Sequence, residues 1–196
     1  MSRRKFDLLL SSIGLVLTVV LVIGGSLAFW GYSFANGKVR DELAAQKIFF
    51  PPKGSEALAS PQIGPFLNKY AGQQLVTGPQ AEAWADHFIA VHLKEVAGGQ
   101  TYAQVSGKAL ANPDDTKLAA QVQVLFRGET LRGLLLNAFA FWKFGQIAFI
   151  GALAMWILSG VMLVLTLLGF WHLRKVAPNE QILAPPVETP LVRVPA

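Results

Sequence analysis

"RGLLLNAFAFWKFG", Arg132 to Gly145, is the stretch whose reading decides the fold. It is apolar for most of its length, carries Lys143 near its end, and opens into a second apolar segment that runs to Trp171. Gly133 to Trp171 is close to forty residues. That is too long for one membrane crossing of about 20 residues and short for two crossings with a turn. Leu134 to Trp142 alone is too short to span. A lysine at mid-bilayer costs about 3 kcal/mol on insertion scales, whereas at the interface its amine reaches water along its own apolar stem. Lys143 therefore marks a boundary. Residues 134–142 are expected to be the last turns of an extracytoplasmic helix, either interfacial or continuous with a crossing formed by Phe144 to Trp171.

Working outward, the other apolar run lies at the opposite end of the chain. No charged residue occurs between Leu8 and Phe34. The core of this run, Leu8 to Trp30, reaches roughly 30 Å or more as a helix, enough for a hydrocarbon core. Arg3, Arg4 and Lys5 precede it. A signal peptide shares this arrangement, but its apolar region runs only about 7–15 residues, so an uncleaved anchor is expected. The second run is followed by His172, Arg174 and Lys175. With bases before the first crossing and after the second, the positive-inside rule puts both ends in the cytoplasm and the middle outside. Trp30, Tyr32 and Phe34 close one run, and Phe139, Phe141, Trp142 and Phe144 open the other. Both clusters are expected at the outer interface, where amphipathic rings concentrate. Trp30, Tyr32, Trp142, Lys143 and Trp171 are the candidate interfacial anchors.

Composition agrees with this placement. Of 196 residues, 53% are hydrophobic and 15% charged, against about a quarter charged in soluble domains. There is no cysteine, hence no disulfide framework and no thiolate site. The net charge is +5, of which +3 sits at the two ends. That pattern flanks membrane segments and differs from the broad basic face of a nucleic-acid binder.

The expected organisation is an all-α membrane protein in which two transmembrane helices flank a small helical extracytoplasmic domain. Residues 1–7 are a basic cytoplasmic start, 8–31 the first crossing, 32–143 the domain, 144–171 the second crossing, and 172–196 a basic flank with a Pro-rich disordered tail. Within the domain, Lys38 to Phe49 has good helix formers and Pro51-Pro52 stops it. Pro51 to Pro79 reads as an ordered loop or strap, with a short helix around Phe66 to Tyr70. Gln80 to Ala97 is the clearest helix, capped by Thr77 or Gly78 and ended by Gly98-Gly99. Ala85, Phe88, Ile89, His92 and Val96 form its apolar stripe. Thr101 and Gln104 make a capping box. Asn112-Pro113-Asp114-Asp115 starts a last helix with Asn112 as cap, in which Gly128 permits a bend and which continues from Glu129 through Trp142. No strand pattern with hairpin turns occurs.

The chemistry-bearing residues are few. His87 and His92 are five apart, which turns them about 140° from one another on a helix, so they do not share a metal. His92, on the apolar stripe, is expected to be a core or interface histidine. Arg127, Glu129 and Arg132 form the most polar cluster near the outer membrane face. Glu129 and Arg132 can pair at a spacing of three. The cluster reads as a structural pair docking the domain on the bilayer, with an anion or headgroup site as the alternative. Glu82 and Asp86 read as partners of a helix dipole. Gly24 with Ala28 and Ala148 with Ala152 permit close helix packing. No ionisable residue interrupts either run, which argues against a proton or ion path. No phosphate loop, dinucleotide fingerprint or nucleophile elbow occurs.

Three stretches, "AAQKIFFPPKGS" (Ala44 to Ser55), "FIAVHLKEVAGGQTYAQVS" (Phe88 to Ser106) and "LFRGETLRGLLLNAFAF" (Leu125 to Phe141), resemble a family of uncharacterised two-span membrane proteins of actinobacteria. Some members of that family carry the label of aromatic ring-opening dioxygenase. Such a site needs two His and a carboxylate converging on iron, a set this sequence does not offer, so the resemblance brings no catalytic residue. The expected role is a non-enzymatic accessory or scaffold component of a cell-envelope complex in the plasma membrane, without cofactor. Its partners would be the bilayer, another membrane protein or a second copy, and no nucleic acid. A lipid- or small-anion-binding sensor is the alternative, and a membrane enzyme comes third.

Overall fold

The structure is a computed structural model and describes residues 2–177. The Pro-rich tail expected at the carboxyl end lies almost wholly outside the described residues. Six α-helices follow one another: α1 (Arg3–Ala45), α2 (Gly64–Leu67), α3 (Gly78–Trp84), α4 (Ala90–Val96), α5 (Tyr102–Ala111) and α6 (Thr116–Leu173). Short 3₁₀ turns cover Glu56–Leu58 and Asn68–Tyr70, and a π turn, Ala85–Ile89, joins α3 to α4. Among the described residues there is no strand, only one isolated antiparallel bridge between Phe49 and Gln74.

Arg132 to Gly145 lies inside one unbroken helix, α6. Helix α6 has 58 residues and α1 has 43, about 87 Å and about 65 Å of helix at 1.5 Å per residue. Both contain a window long and apolar enough to cross a membrane. Little of either window is buried, 17% in α1 and 11% in α6, which separates them from the core helix of a soluble protein.

Several expectations change here. Lys38 to Phe49 is not a separate helix, because α1 continues through Lys38 and ends at Ala45. The stop is made before the prolines, where Lys47 takes a left-handed conformation (φ 53°). Phe49 instead joins the bridge to Gln74. The last helix starts at Thr116, with Asp115 as its cap: its Oδ1 accepts from the amides of Lys117 (3.0 Å) and Leu118 (2.9 Å). Asn112 closes α5, its Nδ2 donating to the Lys108 carbonyl. As expected, α6 continues past Gly128. A Cβ there would lie 2.3 Å from a Leu93 methyl, so the glycine admits Leu93 against the helix.

By its contacts the chain forms two compact units, Met1–Ala28 with Ile150–Ala196, and Phe29–Phe149. In the first, small residues admit side chains from the facing helix. A Cβ on Gly25 would lie 2.7 Å from the Trp156 ring, one on Gly24 would lie 3.0 Å from the Met155 sulfur, and Ala152 is fully buried. Hydroxyls supplement the packing: Ser11, Thr18, Ser159 and Thr166 are buried. Thr18 donates to the Gly14 carbonyl, its own helix's i−4 position. Near the ends of this unit, His172 Nδ1 lies 3.3 Å from Asp7 Oδ2.

The second unit holds the core. Val39, Leu43, Phe50, Leu67, Leu75, Ile89, Leu93, Val105, Leu125 and Leu135 are all buried in it. The segment between α1 and α3, expected as a loop or strap, is an ordered strap. Phe50 N donates to Gln73 O and Leu75 N to Ile48 O (2.9 Å each), closing it on itself. Gln74 Nε2 donates to Ala44 O at 2.8 Å, satisfying one carbonyl that the end of α1 would leave open.

Candidate functional site

Thr77, one of the two caps expected for helix α3, caps it, and Gln80 completes a capping box with it that the sequence reading did not identify. Gln80 does more than cap. It is buried; its Oε1 accepts from the amides of Val76 (2.8 Å) and Thr77 (3.0 Å), and its Nε2 donates to Gln73 Oε1. A single amide side chain thus ties the strap to the start of α3. The second box, Thr101 with Gln104, is also present.

The π turn explains why the helical stripe differs from expectation. The buried row is Ala81, Ala85, Ile89, Leu93 and Ala97, one residue in every four. On an α-helix of 3.6 residues per turn such a row drifts around the cylinder. One wide turn, in which Ala90 N donates to Ala85 O five residues back, accommodates the extra residue and returns the row to the core. His92 consequently leaves the core. It is exposed, lies against the Phe88 ring (4.5 Å between centroids), and its Nδ1 is 2.7 Å from the Phe88 carbonyl. His87 stacks on Phe66 at 3.5 Å.

The π turn also presents Asp86 to α6, and this is the contact that sequence reasoning missed. Arg132 Nη2 donates to Asp86 Oδ1 at 2.9 Å, and Nη1 reaches Glu129 Oε2 at 3.4 Å. The expected Glu129–Arg132 pair exists, but it is the longer of the two. Asp86, read as a dipole partner, is the main counter-ion. Its hydrogen bond, more than the added attraction of Glu129, holds the Arg132 guanidinium above its ordinary pKa. Arg127 does not join: it is exposed and has no partner among the described residues. Arg127, Glu129, Arg132 and Asp86 together carry no net charge.

Beside Asp86, a recess of about 320 Å³ is lined by Phe66, Lys69, Tyr70, Glu82, Asp86 and His87. No three His, Cys, Asp or Glu side chains gather as a metal-binding group among the described residues.

A second concavity, about 390 Å³, lies between the end of α1 and the middle of α6. Val39, Leu43, Ile48, Leu131, Leu135 and Ala138 form its walls, with Leu134 and Phe141 also in its lining. The polar residues in its lining are Lys38, Glu42, Gln46 and Asn137. Lys38 and Glu42 pair across one helical turn at 2.6 Å. That hydrogen bond raises the Lys38 pKa and lowers that of Glu42. Below the groove, a cross-helix amide pair joins the two helices: Gln146 Nε2 donates to Asn36 Oδ1 (3.2 Å), and Asn36 Nδ2 to Tyr32 O (3.0 Å). Gly145 leaves room for the close approach, since a Cβ there would be 3.0 Å from that of Ala35.

The candidate anchors behave differently from one another. Trp30 is 65% exposed and stacks on Phe34 at 5.7 Å. Tyr32 packs on Phe149 at 4.8 Å. Trp171 is exposed, with the Lys175 amine 3.6 Å above its ring. Lys143 is exposed. Trp142 is half-buried instead, its base filling the space that a Gly78 side chain would take, 2.5 Å from a Cβ placed there. Arg4, Lys5, Arg174 and Lys175 are exposed at the two flanks, as is Arg3.

No family model, no curated protein and no solved structure matches this chain.

Proposed function

We propose that this is a two-span plasma-membrane protein with both ends in the cytoplasm and its small helical domain outside. In this reading it serves as a non-enzymatic accessory or scaffold subunit of an envelope complex, or associates with itself. The observation that carries the reading is the exposure of the two charge-free runs. Ile150, Ile157 and Leu167 are 66%, 68% and 59% exposed, on a helix that is apolar all round. Such a surface calls for lipid or for another apolar chain. The bases at both flanks support the orientation. The neutral sum of the Arg132 cluster supports a structural role over anion capture, because Arg132 already has two carboxylates and only Arg127 is left to attract a ligand.

Three measurements test this. A reporter active only outside the cytoplasm, fused to the carboxyl end of the intact chain, is expected to stay silent; a signal there overturns the topology. Native mass analysis and crosslinking in mild detergent are expected to show a partner or a second copy. A strict monomer with nothing copurifying overturns the scaffold reading, and stoichiometric iron in the purified protein would favour an enzyme.

A further inference from the structure

We propose that the two charge-free runs pair with one another inside the bilayer, within one chain and in one register, through a seam in which hydroxyls sit on glycines. The inference rests on the membrane reading above and adds what holds the spans together there.

The buried positions of the unit formed by Met1–Ala28 and Ile150–Ala196 carry the argument. Among its described residues they are Ser11, Gly14, Thr18, Gly25, Ala152, Ser159 and Thr166. None has a side chain larger than threonine, and no leucine, isoleucine or valine is among them. Val16, Val20, Ile157 and Leu167 are instead exposed. A pair of helices in water does the reverse, burying large apolar side chains and exposing hydroxyls. This pair buries almost no apolar side chain, so the hydrophobic effect does not hold it. In lipid that drive between helices is absent in any case. There, helices associate by close backbone approach over small residues and by polar contacts. The seam has the composition that such a solvent requires.

Spacing fixes the register. Ser11, Thr18 and Gly25 are seven apart, as are Ala152, Ser159 and Thr166. A seven-residue repeat keeps one face of a helix turned to its partner along a left-handed supercoil. Contacts across the seam agree with it. A Cβ on Gly169 would overlap Ser11 Oγ, and one on Gly14 would lie 2.6 Å from Thr166 Oγ1. Ser-x-x-Gly on α1 thus meets Thr-x-x-Gly on α6 running the other way, each hydroxyl on the other's glycine. Further along, Ser159 Oγ donates to the Thr18 carbonyl at 3.5 Å, and a Cβ on Gly25 would lie 3.3 Å from the Ala152 carbonyl oxygen. Thr166 Oγ1 is buried without a hydrogen-bond partner. Seated on Gly14, its oxygen is placed to take weak Cα–H contacts from that glycine. The glycines are occupied within the chain, so a second copy has to use another face.

The chain has no cysteine, so introduced thiols report alone. In Ser11→Cys/Gly169→Cys and in Gly14→Cys/Thr166→Cys the paired Cβ atoms would lie 3.5 Å and 3.7 Å apart, a separation that a disulfide spans. The test expresses each full-length variant, checks its integration by resistance to alkaline extraction of the membranes, and then oxidises it. We expect both pairs to close within one chain, seen as loss of both thiols to a maleimide label at monomer mass. Gly14→Ile added to the first pair should slow its closure about tenfold, while Val16→Ile, on the exposed face, leaves the rate unchanged. Equal rates for these two overturn the seam. Integrated protein in which both pairs keep their thiols overturns the pairing and leaves the membrane reading standing. Disulfides at dimer mass assign the seam to a second copy and overturn the proposal. Failure of the unaltered chain to integrate overturns the membrane reading and the proposal with it.

Discussion

Single residues in this chain do different work from what their type suggests. Gly128 and Gly133 are both glycines inside α6. At Gly128 a Cβ would meet Leu93 at 2.3 Å, whereas at Gly133 it would meet nothing within 4 Å. Gly128→Ala is expected to destabilise by about 1–3 kcal/mol through overpacking, while Gly133→Ala stabilises by about 0.5–1 kcal/mol by reducing chain entropy. Thermal unfolding of the two variants in one detergent checks the opposite signs. Arg132→Ala removes a partly exposed pair with Asp86 and is expected to cost about 1 kcal/mol. Arg132→Lys restores less than the full loss, because one amine cannot serve both carboxylates as the fork does. The raised pKa of Arg132 means that its contribution is fully present below the ordinary arginine pKa and fades only as pH rises through the higher folded-state value. The wild-type-to-Ala difference should thus stay flat between about pH 7 and pH 10, and a loss of that difference by pH 10 would contradict the assignment.

At the scale of elements, the caps and the π turn set where helices begin and which face they bury. Gln80 holds two backbone amides of the strap in a buried position. Gln80→Ala leaves both without an acceptor and is expected to cost about 2 kcal/mol. Thr101→Ala, at the exposed start of α5, is expected to cost about 1 kcal/mol. Denaturant melts followed by helix signal should rank them in that order, and equal losses would mean that the strap does not depend on Gln80. The Thr101–Gln104 box was legible because side chains three residues apart make it locally, whereas at Thr77 only the cap was read and its partner Gln80 was missed. The π turn was not legible. It exists because a four-residue row of apolar side chains must meet one core, and the α-helical stripe inferred over the same residues therefore assigned His92 to the wrong face. The cap of α6 was misread for a related reason: Asn112 and Asp115 are both good caps, and the end of α5 used Asn112.

The molecule as a whole exposes far more apolar side chain than a water-soluble protein keeps in contact with water. Leu158 in the second run is 54% exposed, and Leu110 on α5 is 82% exposed. In water, arginine at either place would be tolerated. If the run crosses a bilayer, Leu158→Arg costs about 3 kcal/mol of insertion while Leu110→Arg costs nearly nothing. Comparing how much of each variant is membrane-integrated on expression checks this; equal yields would speak against a crossing at Leu158.

Sequence alone determined the helical class, the two runs long and apolar enough to span, their boundaries in charge, the Thr77 cap, the Thr101–Gln104 capping box and the Glu129–Arg132 pair. All of these depend on composition over a window or on residues within four positions of each other. Tertiary structure decided the rest. It made one helix of Arg3–Ala45 and one of Thr116–Leu173, where the sequence left the junction at Lys143 open between two geometries. It brought Asp86 to Arg132 across 46 positions and Gln146 to Asn36 across 110, and it left a groove between two helix segments far apart in the chain. Polar partners of that kind are chosen by packing of distant surfaces, for which neither periodicity nor spacing carries a signal.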